Sequence, residues 1–128
     1  MNNQEKIEFI SSWIKNYVNN MSVPARSLIV GISGGIDSAL TSTLSCLTKL
    51  DTIVISMPIK LHSDSSNLSS IHGEWLTEKY SNANHLVIDL TTAYEAFNKS
   101  LVDNNQNSDL GFANSKARLR MMTLYQVA

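Results

Sequence analysis

A single cysteine, Cys46, stands among 128 residues, so no disulfide can close within the chain. Its place inside an apolar helical pattern points to a small buried residue in a reducing compartment; a nucleophilic thiol needs electropositive neighbours. Positive charge is not in excess. Ten Lys and Arg against eleven Asp and Glu leave a net charge of −1, which argues against a basic nucleic-acid surface. No apolar run approaches the length of a membrane span, and the opening MNNQEKIEF lacks the basic-then-apolar order of a signal peptide. The expectation is a cytoplasmic chain without nucleic-acid or membrane partners. His62, His72 and His85 are scattered and give no metal-ligand spacing. No internal repeat or second domain is visible, and the length suits one small α/β domain with a real core.

The stretch from Ser27 to Leu40 is where the chemistry concentrates. Leu28, Ile29, Val30 and Gly31 read as a short buried strand,. Ser33, Gly34 and Gly35 follow, then Asp37 and Ser38, then a helical pattern through Ala39, Leu40, Leu44 and Leu47. Adjacent glycines let a backbone turn tightly and approach a ligand. The first N–H groups of the helix lack internal partners, and their partial positive charge favours an anion, commonly phosphate. A Walker loop needs Lys followed by Ser or Thr, and a dinucleotide fingerprint needs G-x-G-x-x-G; neither is present. No Lys occurs between Lys15 and Lys49, so charge for a phosphate must come from backbone dipoles, a metal or another part of the chain. Asp37 would repel a bare phosphate but suits a Mg²⁺ that bridges to phosphates. The alternative takes Asp37 as an N-terminal helix carboxylate and Ser33 as the N-cap.

Taken in order, Asn3 to Asn20 shows a helical stripe of Ile7, Ile10, Ile14 and Tyr17, predicted to pack on the sheet with Trp13 in the core,. Asp51 to Met57 is a second strand, stopped by Pro58. Ile59 to Asn67 is a polar connection, and Ser69 to Tyr80 a helix weakened by Gly73,. His85 to Leu90 reads as a third strand, Thr91 to Val102 as a helix, and Asp103 to Asp109 as an exposed loop. A last helix starts near Ala113. Strands alternating with helices imply crossovers and a parallel sheet covered on both faces, with the turn after the first strand at the carboxyl ends, where open α/β sheets bind ligands.

The last helix carries cations at short spacing. Asn114 and Arg118 are four apart on one face, Tyr125 lies two turns beyond Arg118 on roughly the same side, and Lys116 and Arg120 form another pair four apart,. Such a helix could clamp phosphates or a carboxylate; a solvated basic face is the bland reading.

Ser33-Gly34-Gly35-Ile36-Asp37-Ser38 resembles the SGGxDS signature of the PP-loop ATP pyrophosphatases, whose loop holds the β,γ-pyrophosphate of ATP. The stretch N-x-x-A-R-x-R-M-x-x-x-Y, from Asn114 to Tyr125, resembles the corresponding helix of ammonia-dependent NAD synthetases. Tyr94-Glu95-Ala96-Phe97 lies between the two in the order that family has. The resemblance implies a three-layer αβα fold with a parallel sheet, of the adenine nucleotide alpha hydrolase-like type. The whole of 1–128 would be one PP-loop domain, the N-terminal part of a longer family domain.

It also implies a two-step ligation. The carboxylate of deamido-NAD attacks the α-phosphate of ATP and pyrophosphate leaves; ammonia then displaces AMP to give NAD. Carried over by position, Gly31, Ile32, Ser33, Gly34, Gly35, Ile36, Asp37 and Ser38 would hold ATP, Asp37 would bind Mg²⁺, and Arg118, Asn114 and Tyr125 would contact deamido-NAD. A family arginine near the adenosine has no counterpart before Pro58, where Ser56 and Met57 stand; Lys60 or His62 is the substitute. The family's active form is typically a homodimer. Family members continue into a fourth strand with further ATP and metal ligands and a Gly-rich substrate loop, to which nothing here corresponds. The opening strand should then have an unpaired edge, and the chain alone should be marginally stable with little synthetase activity. Competing readings are another PP-loop adenylating enzyme, or a nucleotide-binding or dimerisation module without catalysis.

Overall fold

The computed structural model describes residues 1–60 and 67–128. Its elements run α1 (Asn3–Asn19), β1 (Leu28–Ile32), α2 (Ile36–Leu47), β2 (Thr52–Ser56), α3 (Leu68–Lys79), β3 (Ala83–Val87), α4 (Thr91–Val102) and α5 (Asp109–Val127). The strands are parallel in the order β1-β2-β3, with Ile32, Ser56 and Val87 level at the carboxyl ends. Successive strand residues point to opposite faces, and on the central strand both Val54 and Ile55 are 0% exposed. Val54 packs with Ile32, Cys46, Leu76 and Ala83, under α2 and α3. Ile55 packs with Met57 and Leu90, and Leu119, Leu124 and Val127 of α5 close over them. The result is the three-layer αβα arrangement the alternation implied. Cys46 is buried, and burial pushes its thiol pKa up. β1 lies at one edge of the sheet.

Several elements depart from expectation. α1 packs on α2 rather than on the sheet. Its buried side carries Ser11 and Val18, with Ile7 and Ile14 half-buried on the same strip. A helix laid against another helix needs only a narrow strip, so the Ile10–Trp13–Tyr17 side turns outward. Trp13, expected in the core, is 57% exposed and stacks on Tyr17 with ring centroids 5.4 Å apart. β3 begins at Ala83 and ends at Val87, earlier than His85 to Leu90. Leu90 instead donates its N–H to the Pro58 carbonyl at 2.9 Å, as the chain leaves the sheet. α5 begins at Asp109 rather than near Ala113, because the Ser108 hydroxyl accepts the Gly111 N–H at 3.2 Å and caps the helix,.

Gly73, which weakens α3 locally, has a packing reason. A Cβ there would lie 2.5 Å from the ring of His85 on β3. That ring is in turn hydrogen-bonded through Nε2 to the hydroxyl of Ser56, 2.8 Å away and fully buried. Burial lowers the pKa of His85, with the nearby Glu74 acting in the opposite direction.

Candidate functional site

β1 delivers the chain to the turn at Ser33. Gly34 has φ +87°, in the left-handed region where only glycine is unstrained,. A Cβ on it would lie 2.6 Å from Cβ of Leu68, the first residue of α3. The turn therefore sits against the start of a second helix. Gly35, not Ser33, is the N-cap of α2, and no side chain caps it. The Ser33 hydroxyl works inside the turn and accepts the Gly35 N–H at 3.2 Å. Ser38 completes the arrangement. Its hydroxyl accepts the Ser33 N–H at 3.0 Å, lies 3.1 Å from the Ser33 hydroxyl and donates to the Gly35 carbonyl at 3.2 Å. These bonds fix the turn's shape. The N–H groups of α2 ahead of the bond from Ala39 to the Gly35 carbonyl have no partner inside the helix.

Beside the turn is a cavity of about 520 Å³, within the range of small-molecule sites. Gly31, Ile32 and Ser33 form its base at the carboxyl ends of the strands, and Met57 to Lys60 form one wall. That wall is held by the bond from Leu90 to Pro58 and by the Lys60 N–H, which donates to the Thr91 hydroxyl at 2.8 Å. α5 forms the facing wall with Ala117, Arg120, Met121 and Leu124, one side of the helix at spacings of three and four,. Gly31 permits this close approach, since a Cβ there would lie 3.0 Å from the Met57 methyl carbon and 3.5 Å from Leu124.

Of the eight residues expected at ATP, Gly31, Ile32 and Ser33 line the cavity. Gly34, Gly35, Ile36, Asp37 and Ser38 continue from it as the turn and the first turn of α2. Asp37 is exposed, and no cluster of three His, Cys, Asp or Glu occurs among the described residues. One carboxylate does not make a protein-only cage, but it suits a Mg²⁺ shared with phosphates, since that ion keeps several waters.

The residues expected at deamido-NAD separate from the cavity. Asn114 and Arg118 do share a face, and with Ser115, Leu119 and Met122 they line a groove against Phe97 of α4. Tyr125 joins neither recess and is 76% exposed. Lys116 lies over the Tyr94 ring, 5.3 Å from its centroid. Arg120, given no role beyond its spacing, is the α5 cation that reaches the strand ends. Its Nε donates to the Met57 carbonyl at 3.0 Å, and burial lowers its pKa. The signal that could have found it is the run Ala117, Arg120, Met121, Leu124, which has helical spacing over Gly31. Lys60 lines the cavity; His62 lies outside the described residues. His72 bonds to the Ser42 hydroxyl at 3.0 Å, a tie between α3 and α2.

The family model described as NAD synthase matches residues 6–128. The chain belongs to the NAD synthase family. Within the family, an "NH(3)-dependent NAD(+) synthetase" from Mycoplasmopsis pulmonis is 36% identical over 94% of this chain and 44% of that relative. The chain spans about half the length of the curated relatives it matches. Among solved structures, an NMN synthetase from Francisella tularensis is 30% identical, with a TM-score of 0.75 over 98% of this chain and 49% of that one. The NH3-dependent NAD synthetase of Campylobacter jejuni has a TM-score of 0.79 over 99% of this chain and 52% of that one. At 24% identity, it speaks to the fold alone.

Proposed function

We propose that this chain supplies the ATP-gripping part of a ligase that amidates deamido-NAD with ammonia, giving NAD, AMP and pyrophosphate. The observation that carries the reading is the Ser33–Ser38 turn, which opens α2 at the mouth of the strand-end cavity in a chain of the NAD synthase family. A carboxylate has no acceptable leaving group of its own, so it is activated by attack on the α-phosphate; ammonia then displaces AMP. The protein's share is positioning, together with neutralisation of charge on the departing pyrophosphate. Main-chain amides and the two serine hydroxyls would hold the phosphates. Mg²⁺ shared with those phosphates would be carried by Asp37. The groove of Asn114, Arg118 and Phe97 would take the dinucleotide, with Tyr125, exposed outside it, as a further contact. We assign the working protein to the cytoplasm, as a homodimer.

A second reading has one observation in its favour: a solved relative at 30% identity is named an NMN synthetase. The acceptor would then be a mononucleotide without the adenosine half. One experiment addresses both. The chain is supplied with ATP, Mg²⁺, ammonium and either acceptor, and AMP and the amidated product are measured alongside calorimetric binding. AMP with NAD supports the first reading, and AMP with the amidated mononucleotide alone supports the second. Saturable ATP binding with no AMP from either means that the chain holds ATP without completing the ligation by itself, and failure to bind ATP refutes the nucleotide site.

A further inference from the structure

The Ser33–Ser38 turn, read above as the phosphate grip, contains no Lys or Arg, and the structure shows where a cation is available. We propose that Arg120 and Lys60, on two walls of the cavity beside the Ser33–Ser38 turn, supply the missing positive charge and hold the phosphate chain of the nucleotide. This rests on the nucleotide reading above. Arg120 arrives from α5, and its Nε is fixed to the Met57 carbonyl at 3.0 Å. Among the described residues its two Nη nitrogens have no hydrogen-bond acceptor, and no carboxylate pairs with it. Arg120 is half-buried. A cation partly withdrawn from water without a counter-charge is costly, and an anion offering oxygens to its planar fork relieves that cost.

Lys60 enters from the opposite chain segment, its backbone secured by Thr91, and is exposed, with Asp89 near enough to feel its charge. The two differ in kind: Arg120 is a fixed fork and Lys60 a mobile point charge. Together they complement a polyphosphate, which presents several oxygens along its length, better than they complement a single carboxylate. The apolar remainder of the lining, Met57, Pro58, Ile59 and Met121, leaves room for the uncharged end of the same ligand.

The test is titration of the 128-residue chain with ATP, inorganic pyrophosphate and adenosine, in the wild type and in Arg120→Met, Arg120→Lys and Lys60→Met, with thermal melts as a folding control. Loss of Arg120 should weaken ATP and pyrophosphate about tenfold or more, the scale of one charge-assisted hydrogen bond, and leave adenosine unchanged. Arg120→Lys should fall between, and Lys60→Met should weaken ATP about threefold and flatten its salt dependence. Parallel loss of adenosine would mean that Arg120 only shapes the wall. ATP affinity within twofold of wild type in both Met variants would also overturn the proposal. If Arg120→Met does not fold, Lys60→Met decides at an exposed position, and unchanged ATP affinity there counts against the idea. A wild-type chain that binds no ATP refutes the nucleotide reading itself; binding that is indifferent to both cations refutes only this assignment.

Discussion

Replacing Gly73 with Ala sets two known effects against each other. In an exposed helix the change should stabilise by about 1 kcal/mol, because Ala is the better helix former. Here the new Cβ would stand 2.5 Å from two ring atoms of His85 and 2.6 Å from a third, far inside contact distance, so the ring must swing away. Swinging breaks its 2.8 Å bond to Ser56, whose hydroxyl is fully buried, and an abandoned buried hydroxyl costs about 1–3 kcal/mol. Crowding between α3 and β3 adds about 1–3 kcal/mol. The penalties outweigh the propensity gain, and a net loss of about 1–5 kcal/mol is expected. Urea denaturation of wild type, Gly73→Ala, His85→Ala and the double variant measures it. With the ring gone, the Gly73→Ala step should turn neutral or stabilising, which a double-mutant cycle reads as coupling. A Gly73→Ala chain as stable as wild type, or the same loss with and without the His85 ring, would refute the packing account.

The same histidine sets a pH dependence. Burial depresses its folded-state pKa, so the folded chain favours the neutral ring and the unfolded chain binds the proton more readily. Stability is then fully present above the unfolded value of about 6.5 and declines as pH falls through the depressed folded value. Melts at pH 7.5 and 5.5 should show the decline in wild type and a smaller one in His85→Asn; equal declines would reject it. Gly34→Ala puts a Cβ at φ +87° and 2.6 Å from Leu68 Cβ. Strain of about 1–2 kcal/mol, plus displacement of α3, should lower the melting temperature and weaken ATP together, and a shift in neither would contradict the geometry. Asp37→Asn should weaken ATP about tenfold in the presence of Mg²⁺ and little in its absence, if the carboxylate carries the ion; calorimetry with and without Mg²⁺ checks it.

The sequence disclosed what depends on local pattern and concealed what depends on neighbours. The strand from Leu28, the glycine turn and the helix through Leu44 were legible because β-branched residues, glycine and helical spacing act within a few residues. The shared face of Asn114 and Arg118 followed from period alone. α1 was harder, because it carries apolar residues on two sides. Which side is buried was settled by α2, which accepts the strip around Ser11 and leaves Trp13 in water. β3 was displaced because Ala83 and Asn84 carry little strand signal, and their place is set by pairing to Thr52 and Ile53. Arg120 was passed over for Arg118 because spacing shows which residues share a face, not what that face meets. The closeness of Leu124 to Gly31 and the bond from Arg120 to the Met57 carbonyl aim that side of α5 at the strand ends.

One helix thus serves as a party wall between two rooms. Arg118 and Arg120 are two residues apart, about 200° around the axis, so neither can stand in for the other. A shift of α5 away from the naked backbone at Gly31 enlarges one room at the expense of its neighbour. Substitutions meant to reshape one recess along this helix will therefore alter the second as well.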